Sequence, residues 1–430
     1  MKYLSTRGAS PIATLSEAIR NGAAPDGGLY LPERIPTRLP DPALPLPAFA
    51  AELLAPFFEG DALAPALPAI CAETFVFPVP IVAPDPARPG MRALELFHGP
   101  TGAFKDFGAR FLTACFDRLG DPLTILVATS GDTGGGVGCA VEGRANLRAL
   151  ILYPKGRVSP FQAHQLGCWA APVEALELDG DFDDCQRLVK AAFADPELAA
   201  RHRLTSANSI NIGRLLPQMA YLAWASSRLF AETGVRPGLI VPTGNLGHGF
   251  VSLYARAMGL PVGPVRFATN ANRTLTDWAA SGVYQPRPAI ATIANAMDVG
   301  APSNFERLAA LGDRLGEVEV GLVDDATIRA RIVADERASG YVWCPHSATA
   351  AEAYARLAPA AQAERPWLLC ATAHPYKFAD IVEPLLGRAL DAPPALMSIL
   401  DRPAYALPIP ATSAALAGVL DGEEPRRDAA

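Results

Sequence analysis

The chain is 430 residues long, half of them hydrophobic and 19% charged, with a formal net charge of −7. That composition supports a large core and two or three domains, and with no Lys/Arg run a nucleic-acid partner is not expected. No stretch approaches the roughly 20 apolar residues that cross a bilayer. The opening Met1–Gly8 has no apolar leader, the seven cysteines form no CxxC pair and the six histidines no HExxH. The expectation is a cytoplasmic protein with reduced thiols, no membrane partner and no metal.

Residues 1–90 carry helical patches such as Ser16–Arg20 among Pro32, Pro36, Pro40, Pro42, Pro45 and Pro47, and read as a small leading module. Beyond it, short apolar runs alternate with helix-length segments, which predicts buried parallel strands in an α/β fold. Ligands of such folds collect at the carboxyl ends of the strands, so the turns there are where chemistry is expected.

The segment Glu95 to Phe107 sets Lys105 between Phe104 and Phe107, just after a Gly/Pro-rich turn. A cation in so apolar a run loses water and its pKa falls. The neutral amine that results can attack a carbonyl, as Schiff-base chemistry with pyridoxal phosphate requires. Taken alone, the pattern fits equally a lysine whose stem covers the rings while its head reaches water.

After the run Leu123–Ala128 comes Thr129-Ser130-Gly131-Asp132-Thr133-Gly134, followed by more glycines. Its amides can approach a ligand closely, Ser130 and Thr133 can donate and accept, and a helix starting here favours a carboxylate or phosphate. The same turn also fits a plain helix start capped by Asp132 or Thr133. It matches neither the Walker loop nor a GxGxxG fingerprint. A second apolar run, Leu147–Tyr153, follows. Farther on, Asn208-Ser209-Ile210-Asn211-Ile212-Gly213-Arg214 groups small polar side chains with a guanidinium, suited to a substrate phosphate or to a helix start with a structural arginine.

The run Gly238–Val241 leads through Gly244-Asn245-Leu246-Gly247-His248-Gly249 into a helical stretch, Phe250–Met258. This reads as a phosphate cradle of backbone amides or as a tight turn; with no lysine in it, it suits a permanently held cofactor phosphate. After Pro366–Cys370, Thr372 stands where its hydroxyl can meet a ring nitrogen and leave a pyridine unprotonated. The tail from Asp421 to Ala430 is charged and is expected to fray.

Together these blocks resemble the threonine synthase family. The resemblance runs through Lys2–Gly8, Phe97–Phe107, Ser130–Gly134, Asn208–Ile212, Gly244–Gly247, Asn295–Val299, Pro302–Arg307 and Thr372–Pro375, in the family's order, to about residue 380. It implies a fold-type II pyridoxal-phosphate enzyme of the longer bacterial and fungal form. Two open, twisted, mostly parallel sheet domains are then expected: a smaller one at 91–205 with the lysine, and a larger one at 206–430 with the cofactor-phosphate loop. The N-terminal module occupies 1–90. The implied activity is that of a carbon–oxygen lyase converting O-phospho-L-homoserine and water to L-threonine and phosphate, as a monomer or homodimer.

Residue by residue, the resemblance implies that Lys105 holds pyridoxal phosphate and shuttles protons. Gly244, Asn245, Leu246, Gly247 and His248 would bind the cofactor phosphate, Thr372 would face the pyridine nitrogen, and Asp132 would lie near the phenolic oxygen. Ser130, Gly131 and Thr133 are expected at the substrate carboxylate, and Asn208, Ser209 and Arg214 at the substrate phosphate. The chain departs from the family at His248, where Asn or Asp is commoner, at Leu246 for Phe, at Tyr376 for Ala, and at Gly102 for a bulkier aliphatic residue. A dehydratase or cysteine synthase of the same fold would share Lys105 and the phosphate loop without the Asn295–Val299 and Asn304–Arg307 blocks. A homologue that binds the cofactor without turnover stays open.

Overall fold

A computed structural model describes residues 1–423. Its strands, in chain order, are β1 (Tyr3–Ser5), β2 (Tyr30–Pro32), β3 (Ile81–Val82), β4 (Met91–Glu95), β5 (Leu123–Ala128), β6 (Leu147–Pro154), β7 (Val173–Asp179), β8 (Leu204–Thr205), β9 (Gly238–Pro242), β10 (Val265–Thr269), β11 (Glu319–Leu322), β12 (Trp367–Ala371) and β13 (Leu407–Pro410). They form a β1–β2 ribbon, a six-stranded sheet ordered β11-β10-β9-β12-β4-β3, and a five-stranded sheet ordered β13-β7-β6-β5-β8. Both large sheets are parallel except at β3, which runs antiparallel to β4. Every residue of β5, β9 and β12 is buried. That is why these strands read as unbroken apolar runs: a parallel strand covered by helices on both faces has no wet side to mark with polar residues.

The sheets do not follow the segment boundaries 91–205 and 206–430. β4, at 91–95, lies inside the six-stranded sheet beside β12, and β13, at 407–410, extends the five-stranded sheet beside β7. Each lobe therefore takes one strand from the other's stretch of chain. Sequence proximity could not show this, because a buried strand chooses its partner by hydrogen bonding along its length.

This exchange positions the site. β4 and β12 pair in register from Met91↔Trp367 to Glu95↔Ala371, so the turns leading to Lys105 and to Thr372 leave from adjacent strand ends. The two turns then stay joined. Leu96 N donates to Ala371 O at 3.0 Å, Phe104 N to Thr372 O at 2.8 Å and His374 N to Gly102 O at 2.9 Å.

The N-terminal module packs on the helices behind the site. Asn211 Nδ2, just before the long helix Ile212–Thr233, donates to Ile19 O at 2.7 Å, and Tyr3 Oη donates to Phe57 O at 2.9 Å within the module. At the other end, Asp421 closes the helix Ser413–Asp421 and pairs with Arg201 at 3.2 Å and His202 at 2.8 Å, so it is held and not frayed. The rest of the expected tail, 424–430, lies outside the described residues. Among the described residues no helix is long and apolar enough to cross a membrane.

Candidate active site

Lys105 is the first residue of the helix Lys105–Leu119. The turn before it is braced by Asp106, which accepts from Thr101 N at 2.9 Å and Thr101 Oγ1 at 2.5 Å. Burial pushes Asp106 up to about 6 against the pull of those two bonds. Burial also pushes Lys105 down from the usual 10.5 to about 8; Asp132 opposes the fall, while Arg214 and Lys377 add to it. Its Nζ donates to no acceptor among the described residues. At pH 7 about a tenth of such lysines are neutral, against roughly three in ten thousand for an ordinary one. The amine is thus available as a nucleophile.

Asp132 opens the helix Asp132–Val141 after β5 and is buried. Its Oδ1 receives Gln162 Nε2 at 3.1 Å and the ammonium of Lys377 at 3.0 Å. Those cations, Lys377 ahead of Lys105, hold the carboxyl far below the usual range although burial pushes the other way. Gln162 in turn receives Asn295 Nδ2 at 3.2 Å, which brings the Asn295–Val299 block into the site. Lys377 was not expected here. It was visible only as one residue of the turn after Thr372, and nothing in its neighbours signals that it points inward.

In the Ser130–Thr133 turn, Thr129 Oγ1 accepts from Gly131 N at 3.0 Å and Gly134 N at 2.9 Å. The amides of Ser130, Asp132 and Thr133, and the hydroxyls of Ser130 and Thr133, have no partner among the described residues. The turn therefore presents several donors at a helix start, an arrangement that receives a carboxylate.

The loop after β9 is a second set of free donors. The amides of Gly244, Asn245, Leu246, Gly247 and His248 find no acceptor among the described residues, and the helix Gly247–Ala257 begins there. The loop is locked from behind: Asn245 Nδ2 donates to Ser209 Oγ at 2.8 Å, its Oδ1 accepts from Ser303 N at 2.6 Å, and Asn304 Nδ2 donates to Asn245 O at 3.0 Å. Gly244 has no room for a side chain, since a Cβ would lie 2.6 Å from Met297 Cα. Leu246 sits at φ 64°, a left-handed conformation that costs a non-glycine residue of order 1 kcal/mol and is kept where the surroundings enforce it.

The remaining expected residues are distributed as follows. Thr372 N donates to Ser347 Oγ at 2.9 Å, and the two hydroxyls lie 3.3 Å apart. Ser209 backs the phosphate loop through Asn245 and Asn304. Asn208 Nδ2 donates to Ala128 O, the last residue of β5, at 3.0 Å, tying the two loops. Arg214 is buried against the lysine helix, with Nη1 on Ala207 O and Nε without a partner among the described residues. Arg307, also buried, forms no ion pair among the described residues: it donates to Tyr30 O (3.0 Å), Ser209 O (3.2 Å), Ile210 O (2.5 Å) and Asn304 Oδ1 (2.5 Å). It bolts the N-terminal module to the loop carrying Asn208 and Ser209. A separate cleft of about 830 Å³ beside β3, lined by Arg92, Trp224 and Arg228 among others, shares no residue with this site.

A desolvated lysine, a buried carboxylate, a hydroxyl and a five-amide cradle are what pyridoxal phosphate requires. Comparison with known proteins gives the same answer. The model of pyridoxal-phosphate-dependent enzymes matches residues 93–372, that of the threonine synthase N terminus residues 2–75, and that of the threonine synthase C-terminal region residues 347–419. The threonine synthase of Escherichia coli is 37% identical over 427 residues, 97% of this chain and 98% of that protein. The chain belongs to the threonine synthase family. Its cofactor is pyridoxal phosphate.

The crystal structure of threonine synthase from Escherichia coli superposes with a TM-score of 0.89 at 34% identity, covering 99% of this chain and 100% of that one. The pyridoxal-phosphate-bound threonine synthase from Brucella melitensis gives 0.88 at 32%, covering 98% and 99%. Against this family background, the departures have local reasons. His248 stacks on Phe104 at 4.7 Å and 14°, meets Tyr221 Oη at 3.0 Å, and is pushed by burial down to about 3; it adds no charge to the cradle. Gly102, at φ 67°, leaves space filled by Leu396, whose side chain would lie 3.0 Å from a Cβ. Tyr376 packs edge-on against Phe161 at 5.8 Å.

Proposed function

We propose that this chain converts O-phospho-L-homoserine and water into L-threonine and inorganic phosphate in the cytoplasm, as a monomer or homodimer and without a nucleic-acid partner. The observation that carries this reading is the meeting of Lys105, Thr372 and the Gly244–His248 amides at adjacent strand ends of one sheet with Asp132 from the other, in a threonine synthase chain. Pyridoxal phosphate bound here supplies an electron sink for charge that develops on the substrate's carbons.

The amides of Gly244, Asn245, Leu246, Gly247 and His248 would hold the cofactor phosphate, and Thr372 would offer a neutral hydroxyl to the ring nitrogen. The Ser130–Thr133 turn would orient the substrate carboxylate, and Asp132 would serve the cofactor's phenolic oxygen. Asn208, Ser209 and Arg214 are assigned to the substrate phosphate; Arg214 Nε, packed on Gly108 of the lysine helix, has no partner among the described residues. Lys105 Nζ takes the proton from Cα and serves the later transfers at Cβ and Cγ. A pKa near 8 suits that task, since the group both accepts and returns protons near neutral pH.

Incubation with O-phospho-L-homoserine is expected to yield phosphate and threonine in equal amounts. Phosphate with 2-oxobutyrate would instead identify an eliminating enzyme of the same fold.

A further inference from the structure

Lys377 has no part in the roles above, yet it is wholly buried (0% exposed) with three oxygens about its nitrogen: Thr101 O and Gln165 Oε1 at 2.7 Å and Asp132 Oδ1 at 3.0 Å. None of these oxygens is a donor while Asp132 is ionised, so all three contacts use an N–H, and only the ammonium form has three. Its surroundings are fixed as well. Gln165 Nε2 donates to Thr101 O at 3.2 Å, and Ser159 Oγ donates to the backbone oxygen of Lys377 at 3.2 Å. The ammonium therefore ties the turn after β12 to the turn before Lys105 and to the start of the Asp132 helix. On Asp132, Oδ1 is engaged by Lys377 and Gln162, while Oδ2 takes no donor among the described residues.

The other charged or titratable groups facing this pair are Lys105 and Asp106 on the lysine helix, Cys344 and His346 at the start of the helix Pro345–Ala355, and His374 beside the turn; Arg214, on the long helix, acts on Lys105. Burial pushes His346 and His374 down to about 4, so both are neutral at working pH. Asp132 thus stands between two cations, Lys377 and Lys105, and it is Lys377 that touches it.

We propose that Lys377 is a positioning residue for Lys105: a fixed internal cation that holds Asp132 in place as a carboxylate and keeps Lys105 from claiming it as its own counter-ion. The proposal rests on Lys105 being the amine that captures the cofactor. With Asp132 engaged, the Lys105 ammonium is poorly balanced and the neutral amine is favoured. If the Lys377 charge is removed, Asp132 is left to Lys105 alone and one repulsive neighbour is lost; both changes favour the ammonium.

The test uses full-length apoenzyme and follows pyridoxal phosphate capture by absorbance as a function of pH. Each product is then reduced with borohydride and the modified lysine identified by peptide mapping. Lys377→Met is expected to raise the midpoint by about one unit or more, so that capture at pH 7 slows about tenfold and recovers at high pH. Lys377→Arg, which keeps the cation, should leave the midpoint close to that of the native protein. Asp132→Asn should move it down, the opposite sign; should Lys377→Met not fold, Lys377→Gln removes the same charge while keeping a donor for the surrounding oxygens and decides the matter. Unmoved midpoints would overturn the proposal, because a merely structural clamp would lower the yield of folded protein without shifting the titration. An adduct at Lys105 with an unmoved midpoint refutes the role of Lys377 alone. An adduct at another lysine refutes the assignment of Lys105 itself and the proposal with it.

Discussion

Replacing Lys105 by Met should make the cofactor-free protein more stable while abolishing cofactor capture. Folding carries the lysine from water, where its pKa is near 10.5, to a site where burial lowers it to about 8. Each pH unit of that displacement corresponds to about 1.4 kcal/mol, giving roughly 3 kcal/mol against folding wherever the side chain is charged in both states. Lys105 is only partly shielded from solvent, which reduces the figure to roughly 2 kcal/mol. The sign follows from proton binding: below about pH 8 both states are protonated and the whole penalty applies, and it is relieved as pH rises from about 8 toward 10.5. Urea unfolding of the two apoproteins should therefore show Lys105→Met ahead at pH 7 and level with the native protein near pH 10.5. Equal stability at pH 7, or an advantage that grows with pH, would refute the claim that the amine is held desolvated for use.

Gly244→Ala should weaken pyridoxal phosphate binding by tenfold to a hundredfold, read by titrating the apoenzyme. The new Cβ meets the backbone of Met297 and must push the loop aside, and one lost amide–phosphate bond is worth about 1.5–3 kcal/mol. Because His248 is kept neutral by burial, cofactor affinity should show no inflection near pH 6.5 that His248→Asn removes; such an inflection would place its charge in the cradle. Arg307→Met should destabilise the protein by roughly 3 kcal/mol, since three backbone carbonyls and Asn304 lose a charged donor. Limited proteolysis should then release the 1–90 module first, whereas cleavage elsewhere would show that Arg307 is not its anchor.

Much of the architecture was legible because parallel strands are short and apolar: Leu123–Ala128 was read to the residue, the runs at 147 and 238 each extend by one residue at the carboxyl end, and the run read as Pro366–Cys370 is shifted by one to Trp367–Ala371. The turns after them carried Gly, Ser, Thr and Asn for reasons that backbone chemistry makes visible. What the sequence concealed was long-range. The transfer of 91–95 and 407–410 between sheets depends on strand pairing, which leaves no local mark. Lys377 looked like any turn lysine, and only the packed structure shows three oxygens around its nitrogen. His248 illustrates the converse: the sequence showed only that it departs from the family, and the structure shows its buried ring stacked on Phe104.

The most direct test of the account is one incubation of the holoenzyme with O-phospho-L-homoserine in ¹⁸O-labelled water, followed by mass spectrometry of both products. If phosphate leaves from Cγ with its bridging oxygen and water is then added at Cβ, the threonine carries one labelled oxygen and the phosphate none. Labelled phosphate with homoserine would mean simple phosphoester hydrolysis, and 2-oxobutyrate would mean elimination without rehydration; either would contradict a synthase built around Lys105.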